Sequence, residues 1–311
     1  MKRTICILLI CSLLLAGCGN SIAVSPTQAF SFTDDLGRQV TVNDPQRVAA
    51  LLGSFAHLWH LAGGSVCATA DDAWDDFNLN LPEDTINLGK TKALNLELLL
   101  AAQPDFVLAS TNTQQNIQWM ETLENANIAV AYFDVSDFND YLRVLKICTQ
   151  ITGRDDLYEE NGTKVQQQID DAISRSVSRI EEYGAPVVLS LRASASSMHA
   201  KKSEGNVLGQ MLKNLGCINI ADSNNALLEN LSIEYILLAD PQFIFIVRHG
   251  DDLEGTQATV EQFIAENPAW NELTAVKNGN VFFMEKELFS LKPNNRWGEA
   301  YEILEAILEG Q

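Results

Sequence analysis

Two carboxylates set in the same local pattern are the first residues of this chain that point to chemistry. In NLELLLAAQPDFVL (95–108) and SIEYILLADPQFIF (232–245), Glu97 and Glu234 each follow a capping-type residue, Asn95 or Ser232, by two positions, and so fall in a first helical turn. A carboxylate there complements the helix dipole, worth roughly 0.3–1 kcal/mol. It is also free to pair with a cation on another molecule, and its presence in both copies favours that second role. The copies agree further at Leu100 and Leu237, Ala102 and Ala239, Pro104 and Pro241, and Phe106 and Phe243. A chain that repeats a supersecondary unit repeats a domain.

The second set of groups is basic. Segments at predicted strand ends in the carboxyl-terminal half carry Arg192, His199, Lys201, Lys202, Arg248, His249, Lys286, Lys292 and Arg296, in a chain whose formal charge is -20. Cations gathered on one wall of an acidic protein suit an anionic ligand, because arginine forks onto carboxylate, phosphate or catecholate oxygens. Arg192, Arg248 and Arg296 are the candidate contacts, with His199. Lys201, Lys202, Lys286 and Lys292 read as solvated. At the amino-terminal strand ends stand Phe55, His57, Thr111 and Tyr132, and Trp74 inside the acidic segment DDAWDD (71–76). Trp74 has no apolar stripe to join, so it is a candidate platform for a flat ligand, as are Phe55, Tyr132, Phe289 and Trp297. Trp59 falls in a predicted helix and reads as core.

These residues need elements to hold them. Apolar runs of strand length alternate with segments of helical period, which predicts βα units and parallel strands. Strands are predicted at 48–52, 66–70, 106–109 and 128–132, then at 187–191, 243–247 and 281–284. Helices are predicted at 55–62, 96–102, 114–125 and 138–152, then at 206–215, 233–239, 258–266 and from about 296. Between the halves, Val165, Ile169, Ala172, Ile173, Val177 and Ile180 recur at helical spacing, with no proline before Pro186. A helix over 155–183 would be on the order of 40 Å long, at about 1.5 Å per residue. The expected organisation is an amino-terminal α/β lobe at 31–154, a bridging helix at 155–183 and a carboxyl-terminal α/β lobe at 184–311. In such sheets ligands bind beyond the carboxyl ends of the strands.

The start of the chain reads as an address. Lys2 and Arg3 precede an apolar run, Ile5 to Leu15, and Leu15-Ala16-Gly17-Cys18 matches a bacterial lipobox in which Cys18 is lipidated. The run is short for a membrane span. Residues 1–18 are therefore expected to be a lipoprotein signal, and 19–30 a flexible tether holding the domain to a membrane by its lipid alone. Of six cysteines, Cys6 and Cys11 leave with the signal and Cys18 carries the lipid, which leaves the thiols of Cys67, Cys148 and Cys217; their scattered placement fits neither a zinc ribbon nor a disulfide framework. The strong negative charge argues against a nucleic-acid partner. No G-x-S-x-G, Walker-type or H-E-x-x-H motif is present, so binding is expected and catalysis is not.

Taken in order, the lipobox, Phe32 to Val40 (FTDDLGRQV), RVAALL (47–52), the two glutamate-bearing repeats, the bridging segment and the terminal K-P-x-x-R-W-x-E-A (Lys292 to Ala300) resemble the substrate-binding lipoproteins of ABC importers for iron-siderophores, haem and cobalamin. The resemblance spans residues 30–308. It implies an α/β fold of two Rossmann-like lobes bridged by a single long helix, a ligand held between them, and docking of Glu97 and Glu234 onto arginines of a membrane permease. An anionic ferric siderophore fits the basic wall best, with cobalamin or haem as alternatives and no intrinsic cofactor or metal. The chain is expected to act extracytoplasmically, as a monomer. Two other readings stay open: a bare zinc or manganese binder using His57, His60, His199 and His249, and a lipid-anchored sensor with the same fold but no transport.

Overall fold

The computed structural model describes residues 29–250 and 252–310. The lipidation site Cys18 and most of the proposed tether lie outside the described residues. Among the described residues, no helix is long and apolar enough to cross a membrane.

The strands are β1 (Phe30–Thr33), β2 (Gln39–Val42), β3 (Val48–Ala50), β4 (Val66–Thr69), β5 (Ile86–Asn87), β6 (Phe106–Ser110), β7 (Ala129–Phe133), β8 (Val187–Ser194), β9 (Ser197–Ala200), β10 (Ile218–Asn219), β11 (Phe243–Arg248) and β12 (Val281–Met284). The expected α/β class is borne out. One sheet is parallel in the order β5-β4-β3-β6-β7, and the second in the order β10-β8-β11-β12, with β9 antiparallel on β8. Both halves wind alike: the chain starts centrally at β3 or β8, steps outward to β4 or β10, then returns across the start to β6 or β11. Each reversal opens a crevice at the carboxyl ends of the strands.

Packing explains why the central strands are continuous apolar runs. All five residues of β6 are buried, as are the first five of β11, because helices cover both faces. Alternate residues feed different cores. Val48, Ala50, Phe106 and Leu108 face a large central core, while Ala49, Val107 and Ala109 face an outer one. In the second sheet Val188, Phe243 and Phe245 enter the same central core, whereas Leu189, Ile244 and Ile246 face outward. One apolar core therefore runs through both lobes.

The helix between the sheets contributes to that core. It runs as Asp155–Tyr158, a π-helical turn at Glu159–Thr163, and Lys164–Tyr183, with right-handed backbone through both joints. The π turn has a local cause: it frees the Asn161 carbonyl, which accepts the buried Tyr141 hydroxyl at 2.9 Å, while Asn161 Nδ2 donates to the Leu61 carbonyl at 3.0 Å. The buried stripe is Val165, Ile169, Ala172 and Ser176. Val177, placed in the stripe from sequence, is 51% exposed. Spacings of four, three and four residues put Ser176 on the seam instead, and its hydroxyl donates to the Leu215 carbonyl at 2.6 Å.

Several segments differ from the sequence reading. Phe32 to Val40 forms the hairpin β1-β2, tied by Asp34, whose carboxylate accepts from the Leu36 and Arg38 amides, the Arg38 guanidinium and the Tyr132 amide. The predicted helix 114–125 breaks at Trp119 into Gln114–Gln118 and Met120–Asn125. RASASSMHAKK (192–202), which follows a predicted strand, is the end of β8 turning back as β9. The acidic segment 71–76 contains a helical turn, Asp72–Asp75.

Candidate interlobe ligand site

A cavity of about 440 Å³ lies past the carboxyl ends of both sheets. From the first lobe it is lined by Leu52 and Ser54 after β3, by Asp71, Asp72, Asp75, Asp76 and Phe77 after β4, and by Lys90, Thr91 and Lys92 after β5; from the second, by His249 and Gly250 after β11 and by Lys286, Ser290, Leu291 and Lys292 after β12.

The acidic wall is held close by a glycine. The helix Gly53–Leu61 starts against the turn Asp72–Asp75, where a Cβ on Gly53 would lie 2.4 Å from the Ala73 backbone nitrogen, so only glycine permits the approach. Asp72 Oδ1 accepts the Gly53 amide at 2.8 Å. Burial raises the Asp72 pKa to about 6, against the pull of that amide, and the neighbouring charges of Asp76 and Asp71 push the same way as burial.

The facing wall is basic. The Lys292 ammonium lies 5.7 Å above the Phe55 ring, and no carboxylate among the described residues stands within ion-pairing distance of it. Burial lowers its pKa, while the more distant charges of Asp134 and Asp72 support the cation. His249 is half-buried, and burial, then the positive charges of Arg192, Lys92, Lys286 and Lys201, lower its pKa. Among the described residues, its buried Nδ1 has no hydrogen-bond partner. Lys286 crosses the gap to Asp76 at 2.6 Å.

The structure distributes the sequence candidates unevenly. Phe55, Tyr132, Phe289 and Trp297 are core residues, at most 3% exposed. Phe55 lies edge-on to Phe133, Trp297 edge-on to Phe138, and the Tyr132 hydroxyl donates to the Asn116 carbonyl at 2.9 Å. None of these four rings lines the cavity. Trp74 packs half-buried on the central core. Thr111 donates its amide to the Phe133 carbonyl and does not line the cavity. His57 is engaged by Asn294 at 3.2 Å and lies against Phe77. Arg192 is half-buried on β8, its pKa lowered by burial, and touches the site through its field on His249. Arg248 stacks over Phe283 at 5.9 Å and lines a smaller neighbouring cavity. His199 is exposed on β9 and lines a separate shallow cavity with Met198 and Phe263. Arg296 forks onto Glu299 at 2.6 and 2.8 Å.

Lys286 and Lys292, read as solvated, line the cavity, and Lys90, Thr91, Lys92, Ser290 and Leu291 went unnamed. Their one sequence signal is position: each follows a strand, and β5, at two residues, is too short to show a period. No group of three or more potential metal ligands is assembled among the described residues. Glu97 and Glu234 are both exposed. Asn95 and Ser232 cap their helices by accepting from the Leu98 and Tyr235 amides at 3.0 and 3.3 Å. Each helix runs between parallel strands, so its amino terminus lies at the cleft end of its sheet. A backbone contact and the Ser232 hydroxyl lower the Glu234 pKa. A further cavity of about 410 Å³, walled by Arg179, Glu305 and Phe243, lies at the opposite, amino-terminal end of the second sheet.

Two parallel α/β lobes sharing one core and enclosing a charged cavity at their strand ends define a two-lobed ligand-binding protein. The chain belongs to the periplasmic binding protein family, whose model matches residues 48–288. That family consists of substrate-binding transport proteins. The chain is similar to the Fe(3+)-citrate-binding protein YfmC of Bacillus subtilis, at 25% identity over 91% of this chain and 89% of that one. It is also similar to the vitamin B12-binding protein of Pectobacterium atrosepticum, at 26% identity over 69% and 76% of the two chains. Its fold matches Staphylococcus aureus SirA complexed with staphyloferrin B at a TM-score of 0.69 and 17% identity, over 90% of this chain and 98% of that one.

Proposed function

We propose that this protein is the substrate-binding lipoprotein of an ABC importer, capturing a ferric siderophore or similar anionic iron chelate between its lobes and handing it to a permease. The observation that carries the reading is Lys292, a cation held at the cleft over the Phe55 ring with no carboxylate among the described residues paired to it. An ammonium desolvated in this way gains most from an anionic ligand oxygen. His249 and, behind it, Arg192 add to the same wall; Ser54, Thr91 and Ser290 offer hydroxyls. Among the described residues, Phe77 is the one phenylalanine, tyrosine or tryptophan that lines the cavity, which favours a polar chelate over a haem plane and leaves cobalamin as the second choice. Similarity to an iron-citrate binder supports this reading. The protein does no covalent chemistry: it binds, and release is driven elsewhere.

Glu97 and Glu234, one on each lobe, are the proposed permease contacts, and Cys18 the proposed lipid anchor to the outer face of the cell membrane. The chain works as a monomer. Titrating the purified protein by tryptophan quenching against ferric citrate, a ferric hydroxamate, a ferric catecholate, haemin and cyanocobalamin tests the assignment. A ferric chelate is expected to bind most tightly, with Lys292→Ala weakening it at least tenfold. Tightest binding of cyanocobalamin or haemin, or an unchanged Lys292→Ala variant, contradicts it.

A further inference from the structure

The interlobe cavity does not end where it narrows. A second cavity of about 280 Å³, lined by Arg248, Leu253, Glu285 and Glu287, adjoins it, and the two have Asp76, Gly250 and Lys286 in common. Asp76 and Lys286 are the pair that meets at 2.6 Å, with each side chain 17% exposed. Gly250, at φ +86°, has open space where a side chain would be, so its backbone alone leaves the boundary unfilled. Among the described residues, the ion pair supplies the side chains that the two spaces share. It also joins the lobes directly, from the end of the turn Asp72–Asp75 to the start of the helix Lys286–Phe289.

We propose that the Asp76–Lys286 pair is a partition that sets the size of chelate the protein accepts, an inference that rests on the interlobe site being the ligand site. With the pair closed, a compact chelate fits the inner cavity and meets Lys292 and His249. A bulkier chelate, or one with a protruding arm, reaches the second space only by separating the two charges. A half-buried ion pair is costly to break by removing its partner's charge from reach, so bulk is penalised and compactness is not. The sequence carries this device in two charged residues on opposite lobes, each unremarkable alone.

The test compares ferric citrate, which is compact, with ferric enterobactin, a larger catecholate chelate that is also anionic, on the wild type, Asp76→Asn, Lys286→Met and the double variant. Affinities are read by tryptophan quenching, and melting temperatures are recorded without ligand. The affinity for ferric enterobactin relative to ferric citrate is expected to rise at least fivefold in Asp76→Asn over the wild type. The double variant is expected to lose less melting temperature than the two single losses added, as coupled partners do. Equal changes for both chelates, or strictly additive melting shifts, overturn the partition while leaving the ligand site standing. Failure of every form to bind either chelate overturns the iron-chelate reading and the partition with it.

Discussion

Asn294 and His57 meet across the two lobes. The Asn294 amide donates to the Ser54 carbonyl at 2.9 Å and lies 3.2 Å from His57 Nδ1. Donation to Nδ1 requires an unprotonated nitrogen, and the ring's surroundings agree: burial, then the charges of His60 and Arg296, lower the His57 pKa to about 4. The protein thus holds a neutral histidine where its lobes touch.

Acid should therefore act on this contact. The unfolded chain protonates His57 near pH 6.5 and the folded one near 4, so its contribution is complete above pH 6.5 and is lost as pH falls toward 4. Asp72 has the opposite sign: its pKa is raised from 3.8 to about 6, so the folded state gains relative stability as pH falls through that window. The two offset one another between pH 4 and 6. In Asp72→Asn, unfolding free energy should drop more steeply from pH 6 to 4.5 than in the wild type, by about 1.5 kcal/mol over that window, with melting temperature following. His57→Gln should flatten or reverse the slope. Identical slopes in all three proteins would show that neither group titrates as argued.

Replacing Asn294 by alanine should cost about 2–3 kcal/mol. It leaves the Ser54 carbonyl without its donor and puts alanine at φ +55°, where asparagine is better tolerated. Asn294→Gly restores the backbone freedom but not the bond, and should recover about 1 kcal/mol of the loss. Urea unfolding of the three proteins separates the two parts.

The duplicated unit makes a matched pair of predictions. Gln103 and Asp240, each just before a proline, both adopt left-handed backbone at φ +48° and +40°. No side-chain bond from Gln103 is present among the described residues, so Gln103→Gly should be neutral or stabilise by up to about 1 kcal/mol. Asp240 accepts the Thr274 amide at 2.8 Å and its hydroxyl at 2.7 Å, so Asp240→Gly should destabilise by about 1 kcal/mol or more. Equal effects at both sites would mean that backbone strain alone decides.

Docking through Glu97 and Glu234 predicts a separation of functions. The double alanine variant should bind its chelate within about twofold of the wild type and melt within a degree or two, since both carboxylates are exposed and surface charges contribute little. Cellular uptake should fall at least tenfold. Weakened binding in the folded variant would place these carboxylates in the site instead.

Much of the fold was legible because its signals are local. The glutamate-to-phenylalanine repeat survives in both lobes down to matched caps at Asn95 and Ser232, and β6 and β11 are apolar runs that only doubly covered parallel strands need. Other features depend on distant partners. The π turn at Glu159–Thr163 is set by the Tyr141 hydroxyl, and β9 hides in a serine-rich segment poor in strand formers. The site was harder to read than the fold. A lysine in sequence looks the same whether it reaches water or, like Lys292, lines a cavity over the ring of a core phenylalanine. Phe55 and Trp297 stand beside the site in sequence yet turn inward, because the shared core claims them.

The most direct test locates the metal. Crystals grown with the ferric chelate that binds best, measured at the iron absorption edge, should show one anomalous peak in the interlobe cavity, among Asp72, His249 and Lys292 and beyond the carboxyl ends of β3 and β11. A peak confined to the cavity beside Arg179 and Glu305, at the far end of the second sheet, would contradict the interlobe assignment.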